Sequence, residues 1–411
     1  MRQIMVVWSL ALLILAISGM GLGAESLTVQ QAVDIALRQN PDLRAAGSET
    51  DAARAGERGA RALANPEILV APTVVGTAGA DSAVSVIQPL EVNGQRAVRS
   101  RIARFETSAT QASYRVVAND LVRSVKQTYW DVAQAANFVE LNRDNVTTAD
   151  ALHNAALRQR DVGAAPGAHV IKSGVELARA RQELSLAESQ LSQAKARLNT
   201  LLGRPPETAF ALADPLLFTP LVVDEARLRT SAAANRPELA EAQSSLCARE
   251  AEVRAVEVRR RPDLALQARQ ETFGGDAGVA IGVTLPLLDW GSVQADREKA
   301  EDKAIAQSRR VESVRNAVSL DVESALREVS RTEALIKEYE QGVVSRAEQL
   351  ARMAQKGFEA GASSYLEVLE AQRTLKAVRT EYYAALADHQ KAIAQLEWAT
   401  GTPVTRQEVG K

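Results

Sequence analysis

The chain has 411 residues, of which 46% are hydrophobic, 24% are charged and only 4% are aromatic. Ala, Val and Leu supply most of the hydrophobic share, which is typical of long helices and coiled coils and not of a compact enzyme. The formal net charge is −2 and no basic block stands out. The composition therefore gives no reason to expect nucleic acid as a partner.

A signal peptide is predicted at residues 1–24. Arg2 precedes an apolar run that ends in a stretch of small residues, and cleavage is expected after Gly23 or Ala24. The alternative is an N-terminal membrane anchor, but the run is short for a helix that spans a bilayer. No later segment is apolar enough to form such a helix, so we expect an exported protein without a helical anchor.

The two halves of the chain repeat one order of motifs. The offset between matching residues is 196 from Pro41 to Pro237, 197 from Gly94 to Gly291 and 198 from Pro205 to Pro403. So steady an offset over almost half the chain indicates a tandem duplication. We expect a first repeat at residues 25–220, which closes with a linker, and a second at residues 221–411, which closes with a C-terminal tail.

Short strand pairs are predicted at about residues 66–90 and again at about 262–287. In Val279–Leu285 the large apolar side chains fall on one face, and the other face holds only Ala, Gly and Thr. Turns that contain Gly and Asp join the strands of each pair. Strands of about nine residues with one apolar face suit an outer-membrane barrel. Four strands cannot close a barrel, since about eight is the minimum, so subunits must share it.

These strands have a second interpretation. A soluble four-stranded sheet that caps a helical bundle would show a similar alternation of apolar and polar residues. Trp290, just after the last strand, is either an anchor at the membrane interface or an ordinary packed tryptophan. The sequence leaves both alternatives open.

Long helical hairpins are predicted at about residues 94–201 and 291–400. Gly94 and Gly163 are separated by 68 residues that contain neither Gly nor Pro, and one helix of that length would span about 100 Å. The second copy has a similar run, interrupted mildly by Gly342. A Gly-rich break follows each run and is predicted to be the tip at which the chain turns back.

Apolar residues recur every seven positions in these helices. The matching positions of the two long helices are Val125, Val132, Val139 and Val146 in the first copy and Val322, Val329, Ile336 and Val343 in the second. A strict seven-residue period predicts coiled-coil packing. The alternative is an accidental stripe on an ordinary bundle helix, which the match between the copies disfavours.

No catalytic, cofactor-binding or metal-binding residue is predicted. His153, His169 and His389 are the only histidines, and none has the sequence neighbours of a metal site or a catalytic triad. Cys247 is the only cysteine and lies far from the signal peptide, so it forms no internal disulfide and carries no lipid. We therefore expect neither an enzyme nor a cofactor.

The order of these pieces resembles that of the TolC-like outer-membrane efflux proteins from about Leu27 to Pro403. Residues 36–43, 285–291 and 361–372 carry the resemblance, and residues 88–96 are similar to the branch that serves heavy-metal cation pumps of the CzcC kind. The resemblance implies a mainly α fold with a small β part. Its trimer would form a periplasmic α-barrel and a twelve-stranded transmembrane β-barrel, surrounded by outer-membrane lipid.

The resemblance also implies that the hairpin tips form a tunnel mouth. There a periplasmic adaptor (a membrane fusion protein) would couple the trimer to an inner-membrane pump of RND type. The residues expected at this mouth are Arg160, Asp161, Val162, Gly163, Ala164, Ala165 and Pro166 in the first copy and Gly357, Phe358, Glu359, Gly361, Ala362, Ser363, Ser364 and Tyr365 in the second. Asp161 and Glu359 would either form acidic rings that favour cations or lie at solvated helix ends.

The sequence thus predicts a passive efflux duct of the outer membrane, with a large periplasmic portion and with heavy-metal cations as candidate cargo. One alternative is a periplasmic adaptor, which normally carries a single hairpin flanked by soluble β-domains. Another is a structural coiled-coil protein of the envelope, which needs no lipid-facing strands.

Overall fold

The computed structural model describes residues 25–71, 83–163, 166–222, 224–271, 277–285, 290–360 and 362–404. The predicted signal peptide lies outside these residues. Contacts within the chain define two units. The first is Met1–Asn40, Ser124–Pro220 and Thr332–Lys391, and the second is Pro41–Arg123, Leu221–Arg331 and Ala392–Lys411. Each unit therefore takes residues from both halves of the sequence.

Helices make up most of the described residues. They are α1 (Val29–Gln39), α2 (Pro41–Arg61), α3 (Gln95–Asp161), α4 (Gly167–Leu201), α5 (Glu225–Asn235), α6 (Pro237–Val258), α7 (Ser292–Glu338), α8 (Val344–Glu359) and α9 (Tyr365–Thr400). Thr28 and Gln31 form a capping box at the start of α1. Both α2 and α6 begin at a proline, which lacks an N–H where none is needed. Among the described residues, no helix has a stretch that is long and apolar enough to cross a membrane.

The strands form two sheets. They are β1 (Glu25–Leu27), β2 (Glu67–Ala71), β3 (Ala83–Pro89), β4 (Phe210–Leu212), β5 (Asp263–Glu271) and β6 (Ala277–Thr284). In the first unit, β1 pairs with β4 in parallel. In the second unit, four antiparallel strands follow the order β2-β3-β5-β6. The pairing of β3 with β5 joins the two copies of the strand pair.

The four-stranded sheet has one mainly apolar face, and its other face is mostly small or polar apart from Leu69 and Ile87. The exposed apolar side chains of the first face are Ile68, Val70, Val84, Val86, Leu266, Val279, Ile281 and Val283. The opposite face of β6 carries Gly278, Ala280, Gly282 and Thr284, which pair with Arg269, Gln267, Ala265 and Asp263 of β5. The alternation predicted for the last strand is therefore present, and both faces of β6 are exposed.

In the first unit, a buried tyrosine fixes the short parallel sheet. The Tyr129 hydroxyl donates to the carbonyl of Leu27 at 2.9 Å and accepts from the N–H of Asp214 at 3.2 Å. The Asp214 carboxylate in turn accepts from the N–H of Val29 at 2.7 Å. Burial raises the pKa of Tyr129 to about 12, so its hydroxyl stays a hydrogen-bond donor at every physiological pH.

The return helices are α4 and α9, which run back from the two tips. Each is followed by a glycine that lies against the backbone between two shorter helices, α1 and α2 in one case and α5 and α6 in the other. In the first unit Gly203 has a φ of +71°, and a Cβ there would lie 2.7 Å from the carbonyl oxygen of Gln39. In the second unit Gly401 has a φ of +67°, and a Cβ would lie 2.9 Å from the carbonyl oxygen of Asn235. Only glycine suits both the positive φ and the close approach.

The second unit contains a network around Trp398. Its ring lies between the guanidinium groups of Arg236, at 4.0 Å, and Arg123, at 4.4 Å. Arg236 is only 4% exposed, and it pairs with Glu238 at 2.8 Å and with Asp321 at 3.0 Å. A buried guanidinium needs such partners, so this network fixes the junction between α5 and α6.

The second long helix is not continuous. A five-residue π-turn, Tyr339–Val343, separates α7 from α8, and Gly342 within it has a φ of +150°. Its counterpart α3 runs through 67 residues without a break. The π-turn interrupts the heptad pattern predicted through Val343, although Val343 is half-buried just as its counterpart Val146 is in the unbroken α3.

Candidate docking site at the hairpin tips

The first tip closes on a left-handed glycine. Gly163 has a φ of +73° and donates its N–H to the carbonyl of Arg160 at 2.9 Å, just after α3 ends. A glycine in this conformation is a common way to end a helix. Pro166 precedes α4 and makes no side-chain capping bond.

A capping box closes the second tip. The N–H of Ser364 donates to the Glu367 carboxylate at 2.9 Å, and the N–H of Glu367 donates to the Ser364 hydroxyl at 3.3 Å. The carbonyl of Gly357 accepts from the N–H groups of Ala362 and Ser363 at 2.7 and 3.1 Å. A Cβ on Gly357 would displace the Ser363 side chain, so this turn leaves little room for a larger residue.

The two tips share a small core. Phe358 and Tyr365 are buried, with ring centroids 6.2 Å apart. Tyr365 also stacks on His169 of the first hairpin at 5.8 Å. Leu152 and Val368 belong to the same cluster of buried residues. The two tips of one chain therefore pack against each other.

The predicted tunnel-mouth residues differ in their exposure. The exposed ones are Arg160, Asp161, Val162, Gly163, Pro166, Glu359, Ala362 and Ser364. Gly357 and Ser363 are half-buried, and Phe358 and Tyr365 lie in the tip core. Ala164, Ala165 and Gly361 lie outside the described residues. The exposed set is the surface that the tips offer to a partner.

The two acidic tip residues have different electrostatic surroundings. Asp161 accepts two hydrogen bonds from the Arg160 guanidinium, at 3.0 and 2.6 Å. Glu359 accepts only a long contact from the Gln355 amide at 3.4 Å, and it has no ion pair within the described residues. Because the Arg160 charge offsets that of Asp161, Glu359 is the stronger source of negative potential.

Ion pairs between the hairpins were missed at the level of sequence. Arg373 of α9 lies 2.6 Å from Glu176 of α4, and Lys376 of α9 pairs with Glu183 of α4. The signal was available, because the two glutamates are one heptad apart and flank the leucine seam of α4. Charges in such positions commonly pair across a coiled coil.

Within the described residues, no group of three or more His, Cys, Asp or Glu side chains is placed to hold a metal ion. His153 is hydrogen-bonded to Ser173 at 2.9 Å. His389 is fully buried, with its Nδ1 3.1 Å from the Thr332 hydroxyl. Cys247 is a half-buried free thiol. Packing and hydrogen bonding account for the two histidines.

A sequence profile described as Outer membrane efflux protein matches residues 32–204 and 228–402. The chain belongs to this family. It is 29% identical over 389 residues to the cobalt-zinc-cadmium resistance protein CzcC of Cupriavidus metallidurans, and the alignment covers 92% of this chain and 91% of that protein. It is also 29% identical over 315 residues to the nickel and cobalt resistance protein CnrC of the same organism, with coverage of 74% and 72%.

A solved structure has the same fold. The crystal structure of CusC, reported in connection with transmembrane channel formation, matches with a TM-score of 0.76 at 20% identity and covers 91% of this chain and 92% of that one. The predicted relation to the TolC-like efflux proteins, and to their CzcC-like members, is confirmed. The protein is an outer-membrane efflux channel and not an enzyme.

Proposed function

We propose that three copies of the chain form an export duct whose tips dock on a periplasmic adaptor and, through it, on an inner-membrane pump of RND type. The proposal rests on the family match to both halves of the chain. The four-stranded sheet supports it, because in a single copy the sheet has an exposed apolar face and two edge strands without a neighbour in the sheet. A bilayer does not tolerate open sheet edges, since no water reaches their backbone groups.

The strand order explains how identical copies would close a barrel. β2 and β6 are the edge strands, and all neighbours within the sheet are antiparallel. Because each copy contributes an even number of strands, β6 of one copy meets β2 of the next in the antiparallel sense. Twelve strands about 4.8 Å apart and tilted by about 40° enclose a bore of about 12 Å radius measured to the backbone. The small side chains on the inner face of β6 keep that bore open.

Divalent heavy-metal cations are the cargo that we propose. CzcC and CnrC are both named for resistance to such metals and align along most of this chain. The exposed Glu359 carboxylate, present in three copies at the tunnel mouth, would raise the local concentration of cations. In this arrangement the pump supplies the energy, and the duct has only to admit the ion.

The proposed location follows from the same elements. The signal peptide at residues 1–24 would direct the chain across the inner membrane and be cleaved after Gly23 or Ala24. The four-stranded sheet would then lie in the outer membrane, and the helical hairpins would extend into the periplasm.

Removal of the gene from a host that keeps the cognate pump and adaptor tests the duct and its cargo. We expect lower tolerance of cobalt, zinc and cadmium and higher cellular metal content, both restored by the wild-type gene. Sensitivity to organic antibiotics instead of metals would contradict the cargo and leave the duct standing. Unchanged tolerance of both classes would contradict the duct.

Bulky residues at the tips test docking on the adaptor. Gly163→Trp combined with Gly361→Trp should abolish export while trimers remain in the outer membrane, because Gly163 is exposed and has a positive φ. Gly59→Trp, at an exposed position of α2 with open space around it, is the matched control and should export normally. Normal export by the tip variant would show that the adaptor docks elsewhere.

A further inference from the structure

Arginines concentrate at one end of the four-stranded sheet. At this end the strands join their helices, at Glu67, Pro89, Asp263 and Thr284. The ten residues next to each of these strand ends on the helical side contain eight arginines, no lysine and four acidic residues. We call these four segments, residues 57–66, 90–99, 253–262 and 285–294, the arginine belt.

The excess of positive charge is confined to this end of the sheet. The segments that connect the strands at the opposite end, residues 72–82 and 272–276, contain two acidic residues and no basic residue. The belt has a net charge of +4 in a chain whose net charge is −2. Because the fold assembles the belt from four separate segments, no basic block marks it in the sequence.

The turn between β3 and α3 shows that much of this charge is not neutralised within the chain. Its one carboxylate, Glu91, accepts from the Arg99 guanidinium at 2.5 and 3.2 Å. This hydrogen bond is the main reason that the pKa of Glu91 is lowered, and the nearby charge of Arg96 adds to it. Arg261 lies against the same turn, because a Cβ on Gly94 would be 3.9 Å from its guanidinium. Arg96 and Arg261 are exposed, and neither has an ion pair within the described residues.

Trp290 lies at the same end of the sheet and is 92% exposed. Within a single copy it is therefore not a packed tryptophan. Arg259, near the end of α6, pairs with Asp296 of α7 at 3.0 Å. The end of α6 thus lies beside the first turn of α7, which Trp290 precedes. Exposed tryptophans are enriched where a membrane protein crosses the boundary between lipid and water.

The apolar face of the sheet continues to the belt. Leu285 follows Val283 by two residues and is exposed, and so is Leu90, whose N–H donates to the carbonyl of Leu264 and extends the sheet ladder. From the sheet towards the helices the exposed side chains are therefore first aliphatic, then tryptophan and then arginine. One leaflet of a bilayer has the matching order of acyl chains, interface and phosphate groups.

Arginine and a phosphate group fit each other well. The planar guanidinium offers several N–H donors to the phosphate oxygens and keeps its charge at every physiological pH. Basic residues next to a membrane favour lipids with a net negative headgroup. A zwitterionic lipid offers the same phosphate, but its own cation offsets the attraction.

We propose that the arginine belt binds anionic phospholipids of the leaflet that faces the periplasm, with Arg96 and Arg261 on the phosphate and Trp290 beside the lipid. The proposal rests on the proposed location of the sheet in the outer membrane. In the trimer the bound lipids form a ring around the barrel. This ring offsets the positive charge of the three belts and fixes the depth of the barrel in the bilayer.

Tryptophan fluorescence can report the lipid next to the belt. Trp8 belongs to the predicted signal peptide, Trp130 is buried, and Trp398 lies between two guanidinium groups. Quenching by lipids with brominated acyl chains should therefore come mainly from Trp290, and Trp290→Phe should remove most of it. The purified trimer is reconstituted in vesicles of phosphatidylcholine and phosphatidylglycerol, with one lipid or the other brominated.

In the wild-type trimer, phosphatidylglycerol should bind beside Trp290 roughly tenfold more strongly than phosphatidylcholine. Arg96→Gln combined with Arg261→Gln should reduce this preference to about twofold, because the other arginines of the belt remain. Arg96→Lys combined with Arg261→Lys keeps the charge and should keep most of the preference. Raising the sodium chloride concentration from about 0.1 M to about 1 M should weaken the wild-type preference, since salt screens exposed charges.

Arg115→Gln combined with Arg310→Gln is the matched control. Both arginines are exposed, and neither has an ion pair in the part of the chain that the structure describes. They lie about 30 Å along α3 and α7 from the starts of these helices, and their loss should leave the tenfold preference unchanged. Size-exclusion chromatography checks that every variant is trimeric.

Three outcomes would overturn the proposal in different ways. An equal loss of preference in the control and in the Arg96→Gln/Arg261→Gln variant would show that the belt is not the binding surface. Equal binding of the two lipids by the wild-type trimer would overturn the preference for anionic lipid and leave the duct standing. Equal quenching of the wild type and of Trp290→Phe would place this end of the sheet away from the membrane, and the proposed location would then be wrong as well.

Discussion

The two junctions where the return helices end have the same backbone and different side chains. Gly203 in the first unit and Gly401 in the second both have a positive φ and both lie against the carbonyl of a residue that ends a short helix. The residue that follows each short helix differs between the two junctions. The Asn40 amide donates to the carbonyl of Leu201 at 3.0 Å, whereas Arg236, its counterpart, forms the network with Trp398 and two carboxylates.

This difference shows which parts of a duplicated fold are constrained. The close backbone approach leaves room for no side chain, so glycine is retained in both copies. The group that fills the space beside it only has to satisfy exposed carbonyl groups, and an amide or a guanidinium can both do that. The second junction adds the contact of Arg236 with the Trp398 ring and its ion pairs with Glu238 and Asp321.

Alanine at the two glycines should have the largest effect and should affect both copies equally. Gly203→Ala and Gly401→Ala each add a Cβ within 3 Å of a backbone oxygen at a positive φ, and we expect each to destabilise its unit by about 3–4 kcal/mol. The check is the thermal unfolding of the purified trimer. Gly59→Ala, in open space on a helix, is the control and should be neutral or slightly stabilising.

Removal of the side chain beside each glycine should destabilise the two repeats by different amounts. Arg236→Ala leaves the carboxylates of Glu238 and Asp321 without their buried cation and should cost about 2–3 kcal/mol, while Asn40→Ala should cost about 1 kcal/mol. Chemical denaturation of the two variants measures the difference. Equal losses would mean that the additional interactions of Arg236 contribute nothing to stability.

The tips allow a smaller test of the same kind. Ser364→Ala removes the capping box of α9 and should destabilise the second hairpin by about 1 kcal/mol. The first hairpin has Pro166 at the equivalent place, without a side-chain cap, so Pro166→Ala should remove no capping hydrogen bond. Amide hydrogen exchange near each tip reports the change locally. A faster exchange at the first tip than at the second would contradict this assignment.

Acid should have the smallest effect. The hydrogen bond from Arg379 lowers the pKa of the Glu348 carboxyl below its ordinary value of 4.5. The pair therefore stabilises the second hairpin fully at a pH above 4.5. This contribution is lost as the pH falls through the lowered pKa of Glu348. The loss should stay below about 1 kcal/mol because solvent screens the pair. Limited proteolysis at pH 7 and pH 3 should show a difference that Glu348→Gln reduces.

Periodicity made most of the fold predictable. The hairpins, the strand pairs and their apolar faces all follow from patterns with periods of seven or two, which a sequence displays directly. The capping box at Ser364 and the glycine turn at Gly163 are also local and can be recognised in a few residues.

What the sequence did not reveal depends on contacts between distant segments. The Tyr129 network joins residues 102 and 85 positions apart, and no local pattern marks it. The burial of Phe358 and Tyr365 depends on the first hairpin lying beside the second. The π-turn left a trace, the change of offset from 197 to 198, but an offset alone does not show where the second copy gains a residue.

The division of the chain into two units has a consequence for biogenesis. Each unit takes residues from both halves of the sequence, and the second includes residues beyond Ala392. Neither unit can complete its core before nearly the whole chain has been translocated, and pairings so distant in sequence form slowly. The newly exported chain therefore passes through a period with its apolar seams and strand edges uncovered, in which it is prone to aggregation. Truncation before α9 ends would extend that period indefinitely for the second unit.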